Sequence, residues 1–110
     1  MESIEFSVQG SAPEPYRVTF EKNGQRLAAF CTCPAGDSGQ VCKHRMSILA
    51  GSAEAVLSNN RDEVQAVVAW LRGSDLEAAI KAMDQAEAEV EQAKKRVSAA
   101  KKHLAAIMRK

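Results

Sequence analysis

The chemistry in this chain is concentrated in four residues, Cys31, Cys33, Cys42 and His44, which include all three cysteines and one of the two histidines. Cys31 and Cys33 stand one residue apart. Eight residues separate Cys33 from Cys42, and Cys42 and His44 again stand one apart. Three thiolates and an imidazole are a preferred donor set for tetrahedral zinc. A catalytic zinc keeps one position open for water, whereas four protein donors close the shell. No glutamate lies within the motif to act as a base. The expectation is one structural Zn2+ per chain and no catalytic residue. Around a dication this set leaves one net negative charge, which Lys43 and Arg45 could offset. Two other readings stay open: cysteines packed as small hydrophobes, and a redox-sensing zinc thiolate, which needs exposed thiolates of low pKa. The nitrogen of His44 that would take the metal is not readable from the sequence.

The donors need elements to carry them. Ile4, Phe6 and Val8 alternate with polar residues, as do Tyr16, Val18 and Phe20, the period of half-buried strands. Gly10-Ser11-Ala12-Pro13-Glu14-Pro15 separates the two. Asn23-Gly24 suits a type I′ hairpin turn, with a return strand from about Gln25 to Cys31. Cys31 and Cys33, two apart, share a face, and Pro34 ends the strand. The small residues Ala35 to Gln40 let the chain bend back. Lys43 to Ala50 reads as a short helix with Met46, Ile48 and Leu49 apolar and Gly51 as its stop.

Cys-x-Cys, a variable loop and Cys-x-His resemble the SWIM-type zinc finger at Cys31, Cys33, Cys42 and His44. That resemblance implies zinc binding, a strand-strand-helix core, and an association with DNA binding and protein–protein contact.

Beyond the finger, Ser52 to Leu57 is expected to form one or two helical turns. Asn60 with Glu63 resembles a capping box for a helix with Val64, Val67, Val68 and Leu71 on one stripe. Trp70 reads as a packing residue. Gly73 ends that helix, and Ser74 to Glu77 caps the next, which runs without Gly or Pro from Asp75 to Lys110. The expected fold is α+β: a small antiparallel meander with a zinc-stapled strand-strand-helix head (1–51), short helices packing on it (52–73), and a long coiled-coil-like helix (74–110).

The long helix carries a heptad seam. Leu76, Met83, Val90, Val97 and Leu104 recur every seven residues, with Ala79, Ala86, Ala93, Ala100 and Ile107 at the complementary step of three. Its first half holds Asp75, Glu77, Asp84, Glu87, Glu89 and Glu91, with Lys81 the exception. The second half holds Lys94, Lys95, Arg96, Lys101, Lys102, Arg109 and Lys110 and no acid. The helix macrodipole favours that order only at the terminal turns. Antiparallel pairing with a second copy, centred near Gln92 and Ala93, sets acid against base along the whole length, so a homodimer is expected. A hairpin onto Val64 to Leu71 is the competing arrangement. His103 flanks the seam as an ordinary basic residue of a helix end.

A net charge of +1 offers no global argument for nucleic acid. Arg17, Lys22, Arg26, Lys43 and Arg45 could still cluster around the hairpin and finger as a nucleic-acid patch. The near-neutral balance and the seam favour a non-catalytic interaction or adaptor protein, with DNA binding as the alternative. No Ser/His/Asp set, phosphate loop or carboxylate pair suggests an enzyme. Met1 to Glu5 lacks the features of a secretory signal, and no apolar run reaches the ~18 residues of a membrane span. A cytoplasmic location is expected, where clustered thiols hold metal rather than disulfides.

Overall fold

A computed structural model describes residues 1–109, so Lys110 lies outside the described residues. Three antiparallel strands, β1 (Glu2–Val8), β2 (Tyr16–Asn23) and β3 (Arg26–Cys31), form a sheet in the order β1-β2-β3. Four α-helices follow: α1 (Pro34–Asp37), α2 (Lys43–Leu49), α3 (Val64–Leu71) and α4 (Asp75–Met108). The chain divides into two compact units, Met1–Glu77 and Ala78–Lys110. The α+β class expected from the sequence is the class observed.

The alternation along β1 and β2 does what its period requires. Phe6, Val8, Val18 and Phe20 are buried, on the same face as Leu27 and Cys31 of β3. Phe6 pairs with Val18, which pairs with Cys31, so the core row of the sheet ends on a thiol. The rings of Phe6 and Phe20 meet edge to face, with centroids 6.1 Å apart. Ile48 and Leu49 of α2, Val64 and Val67 of α3, and Val56 join this core, with Cys33 and Cys42 also buried, and α2 packs on both β3 and α3.

The hairpin turn differs from expectation. Asn23 pairs with Arg26, leaving Gly24 and Gln25 as the two central residues. Gly24 has φ +64° and no non-glycine residue among the described residues has positive φ. Glycine alone at the first central position is the requirement of a II′ turn; type I′ would need positive φ at both. The return strand accordingly begins at Arg26.

Ser52 to Leu57 is not helical. Val56 bridges to Val8, Gln9 N donates to Ala55 O at 2.8 Å, and Leu57 N donates to Ser7 O at 2.7 Å. The segment thus satisfies the outer edge of β1, a demand that overrides its weak helical pattern. Asn60 opens a 3-10 turn, Arg61–Glu63, without a side-chain cap. Its amide instead donates to Glu5 O at 2.9 Å, extending the cover of the β1 edge. The stop of α2 is as expected: Gly51 has φ +96° and its N–H donates to Ile48 O.

The outer edge of β3 and the turn before it are covered by side chains and by the start of α4. Leu27 N donates to Asp75 Oδ1 at 2.9 Å, Asp75 N donates to Gln25 O at 2.9 Å, and Arg45 donates to Ala29 O at 3.0 Å. Bare edges template further strand pairing, and both edges of this sheet are occupied. Ser74 caps α4 as its sequence predicts: its hydroxyl accepts from Glu77 N at 3.1 Å, and Glu77 accepts from Gly73 N. None of the described residues of α4 is buried.

Candidate metal centre

Cys31 arrives at the end of β3, and Cys33 follows as the N-cap of α1. Cys42 is the N-cap of α2 and His44 lies in its first turn. The residues 35–40, expected to form a flexible link, begin with the single turn of α1. Gly36 permits that turn, because a Cβ there would stand 2.9 Å from Cys31 Cβ and closer still to the Cys31 carbonyl.

The four donor atoms lie within 4.8 Å of one another. All three cysteines are buried and free of disulfides. Zn–S and Zn–N bonds of ~2.3 and ~2.0 Å imply tetrahedral edges of about 3.8 Å between sulfurs and about 3.5 Å between sulfur and nitrogen. The observed separation of Cys31 Sγ from His44 Nδ1 is 3.8 Å. Donor type, number and spacing therefore fit a tetrahedral metal with modest contraction of the longest edges. Nδ1 is the nitrogen that faces Cys31, while Nε2 is buried without a hydrogen-bond partner among the described residues. The imidazole stacks at a tilt on Tyr16, with ring centroids 5.2 Å apart.

Backbone N–H groups of the two short helices donate to two of the sulfurs. Cys33 Sγ accepts from Gly36 N at 3.3 Å and Cys42 Sγ accepts from Arg45 N at 3.5 Å. Arg45 Nε also donates to Cys42 Sγ at 3.2 Å. Burial alone would raise the Cys42 thiol, but these bonds from Arg45, aided by Cys31 and Cys33, hold it below its ordinary value. Burial pushes Cys31 up to about 12, with the Cys33 and Cys42 sulfurs adding to the rise. Burial lowers His44, and the charge of Lys43 lowers it further. Protein groups alone thus stabilise negative charge unevenly across the cluster. A bound dication favours every thiolate at once, and the neutral imidazole is the form that ligates metal.

Arg45, expected among surface bases, is committed to this site. Besides Cys42 it reaches Ala29 O and Gln40 O, tying β3 to the chain before Cys42. The other bases do not gather into one patch. Arg26 faces Asp75 at 3.8 Å and Lys22 donates to Gly24 O, both beside the hairpin turn. Arg17 stands five residues back along β2, about 17 Å away at strand rise, opposite Glu5 at 4.0 Å. Lys43 is exposed on α2. Sequence reasoning had also missed the caps, although Cys33-x-x-Gly36 and Cys42-x-x-Arg45 have the N-cap to N3 spacing that could have revealed them.

The seam residues fall on α4 as their spacing requires, with one difference at the start. Leu76 lines a cavity of the first unit with Ala29, Met46 and Leu49. From Ala79 onward no seam residue is buried; Val90, Val97, Leu104 and Ile107 are 50–54% exposed.

Residues 16–50 match the family model of the SWIM zinc finger. The matched segment runs from the start of β2 to the end of α2 and contains all four donors, so this part of the chain is similar to a SWIM zinc finger. No curated protein and no solved structure matches the chain. No helix among the described residues is long and apolar enough to cross a membrane.

Proposed function

We propose that this chain is a zinc-binding, non-catalytic interaction module of the adaptor kind. One structural Zn2+ sits on Cys31, Cys33, Cys42 and His44, and α4 pairs with a second copy. The observation that carries the first part is the set of four protein donors within 4.8 Å of one another, which fills a tetrahedral shell and leaves no open position for substrate or water. The zinc joins the end of β3 to the start of α2, so it fixes the shape of the head rather than exposing a reactive centre. The free thiols suit a cytoplasmic, reducing setting.

The exposed apolar stripe of α4 supports pairing. Half-exposed Val90, Val97 and Leu104 at heptad spacing leave a strip of apolar surface that a second helix would cover. An adaptor is favoured over nucleic-acid binding because four of the five candidate bases already contact acceptors of the chain itself.

The discriminating experiment is a titration of the zinc-loaded protein into labelled duplex and single-stranded DNA at low and moderate salt. Weak or no binding at both salts is the expected result. Binding that falls by orders of magnitude between the two salts is the signature of phosphate contacts and would replace the adaptor reading with a DNA-binding one.

A further inference from the structure

The exposed seam of α4 specifies more than that a partner exists. We infer that its occupant is an antiparallel second copy of α4, in a register that sets each bulky seam residue from Met83 to Leu104 against an alanine. This rests on the reading of α4 as a pairing helix and adds the partner's orientation and alignment.

The first argument is volume. From Ala79 to Leu104 the seam alternates between two kinds of residue: Met83, Val90, Val97 and Leu104 at one position of the heptad, Ala79, Ala86, Ala93 and Ala100 at the other. In antiparallel pairs the first position packs against the second. Placing the two-fold between Glu91 and Gln92 sets Val90 on Ala93 of the second copy, Val97 on Ala86, Met83 on Ala100 and Leu104 on Ala79. Each layer then contains one large and one small side chain. A parallel pair in register would instead stack Met83 on Met83 and Ala86 on Ala86. Bulky layers would alternate with layers of paired methyl groups, and close packing disfavours the gaps that result.

The second argument is charge, and it is independent of the first. The same register brings Glu87 beside Lys94 of the second copy and Glu89 beside Arg96, and the two-fold repeats both pairs. No like charges meet at the positions flanking the seam. A parallel pair would gain Glu89 beside Lys94 but would place Arg96 beside Lys101. Lys94 also reaches Glu91 of its own helix at 3.3 Å, an exposed pair that the interhelical contact shares or displaces. Volume thus selects the antiparallel orientation, and charge selects this register, because a shift by one heptad would set Glu87 against Glu87 or Lys94 against Lys94 of the second copy. At 1.5 Å per residue, that register places the N-termini of the two α4 helices roughly 50 Å apart. A dimer of this kind carries one zinc head at each end and is suited to bridging two binding partners.

Charge exchange in the full zinc-loaded chain tests the register. The variants are E87K/E89K and K94E/R96E, with association followed by sedimentation and helix content by circular dichroism. Wild type should dimerise, each variant alone should self-associate at least about tenfold more weakly, and an equimolar mixture should form a heterodimer that regains the wild-type strength. Variants that self-associate as well as wild type would overturn the register while leaving the dimer intact. A wild type that stays monomeric at every concentration would overturn the pairing reading itself. Orientation is read separately with a photo-crosslinking side chain at position 104. Attachment near Ala79 of the second copy is expected, and attachment near the second copy's own position 104 would exclude the antiparallel arrangement.

Discussion

The two units of this molecule use apolar residues in opposite ways. In Met1–Glu77 the phenylalanines of β1 and β2 are fully buried, the sheet edges are covered, and four donors converge on one point. In α4 no described residue is buried, and the bulky seam residues beyond Met83 stand half exposed. The head closes on itself around its four donors, whereas the apolar stripe of α4 stays half exposed, the surface that the proposed pairing would cover.

Removing metal should separate the two most sharply. Structural zinc contributes about 10–16 kcal/mol in small fingers, more than the ~5–10 kcal/mol that usually holds a domain of this size. A strong chelator, or Cys42→Ser, should therefore abolish the near-ultraviolet signal of the head while much of the α4 helical signal persists. Simultaneous loss of both signals would show that the units are not separable. Phe20→Ala should cost the head about 3–5 kcal/mol in denaturant unfolding with no change in association state. Gly36→Ala comes next. The added methyl meets the Cys31 backbone, and a loss of about 1–3 kcal/mol in head stability is expected for such overpacking. Val90→Asn should reverse the pattern, weakening association in sedimentation while head stability stays within about 0.5 kcal/mol.

Acid gives a finer separation, because the shifted groups Cys31, Cys42 and His44 lie in the head. His44 is lowered from 6.5, so the folded head prefers the neutral imidazole. That preference stabilises the head above pH 6.5 and is lost as pH falls below it and through the folded value. Cys31, held up to about 12, keeps its proton throughout the neutral range, so metal binding must displace that proton. Zinc affinity should rise with pH across neutrality, by up to about tenfold per unit for each proton displaced, as measured by competition with a chelator. A flat profile would mean that the thiolates are already formed before metal arrives.

The head's strands and both donor pairs were legible because each rests on local spacing: a period of two in Ile4 to Val8 and Tyr16 to Phe20, and one-residue gaps between donors. What could not be read depended on residues distant in sequence. Ser52 to Leu57 carries weak helical character of its own, yet the edge of β1, almost fifty residues earlier, draws it into strand-like pairing. Arg45 looked like a surface base, but besides Gln40 and Cys42 just before it, it is occupied by the Ala29 carbonyl from β3. Asp75 likewise serves β3 as well as its own helix. At the hairpin, Asn23-Gly24 marked the right place, but the pairing of Asn23 with Arg26 moved the turn by one residue.

The most direct test of the account is a native mass spectrum of the intact chain, recorded before and after a strong chelator. Two chains carrying two zinc ions, with the metal lost together with the head's near-ultraviolet signal, is the predicted result. A metal-free single chain whose head remains folded would contradict both the zinc assignment and the pairing of α4.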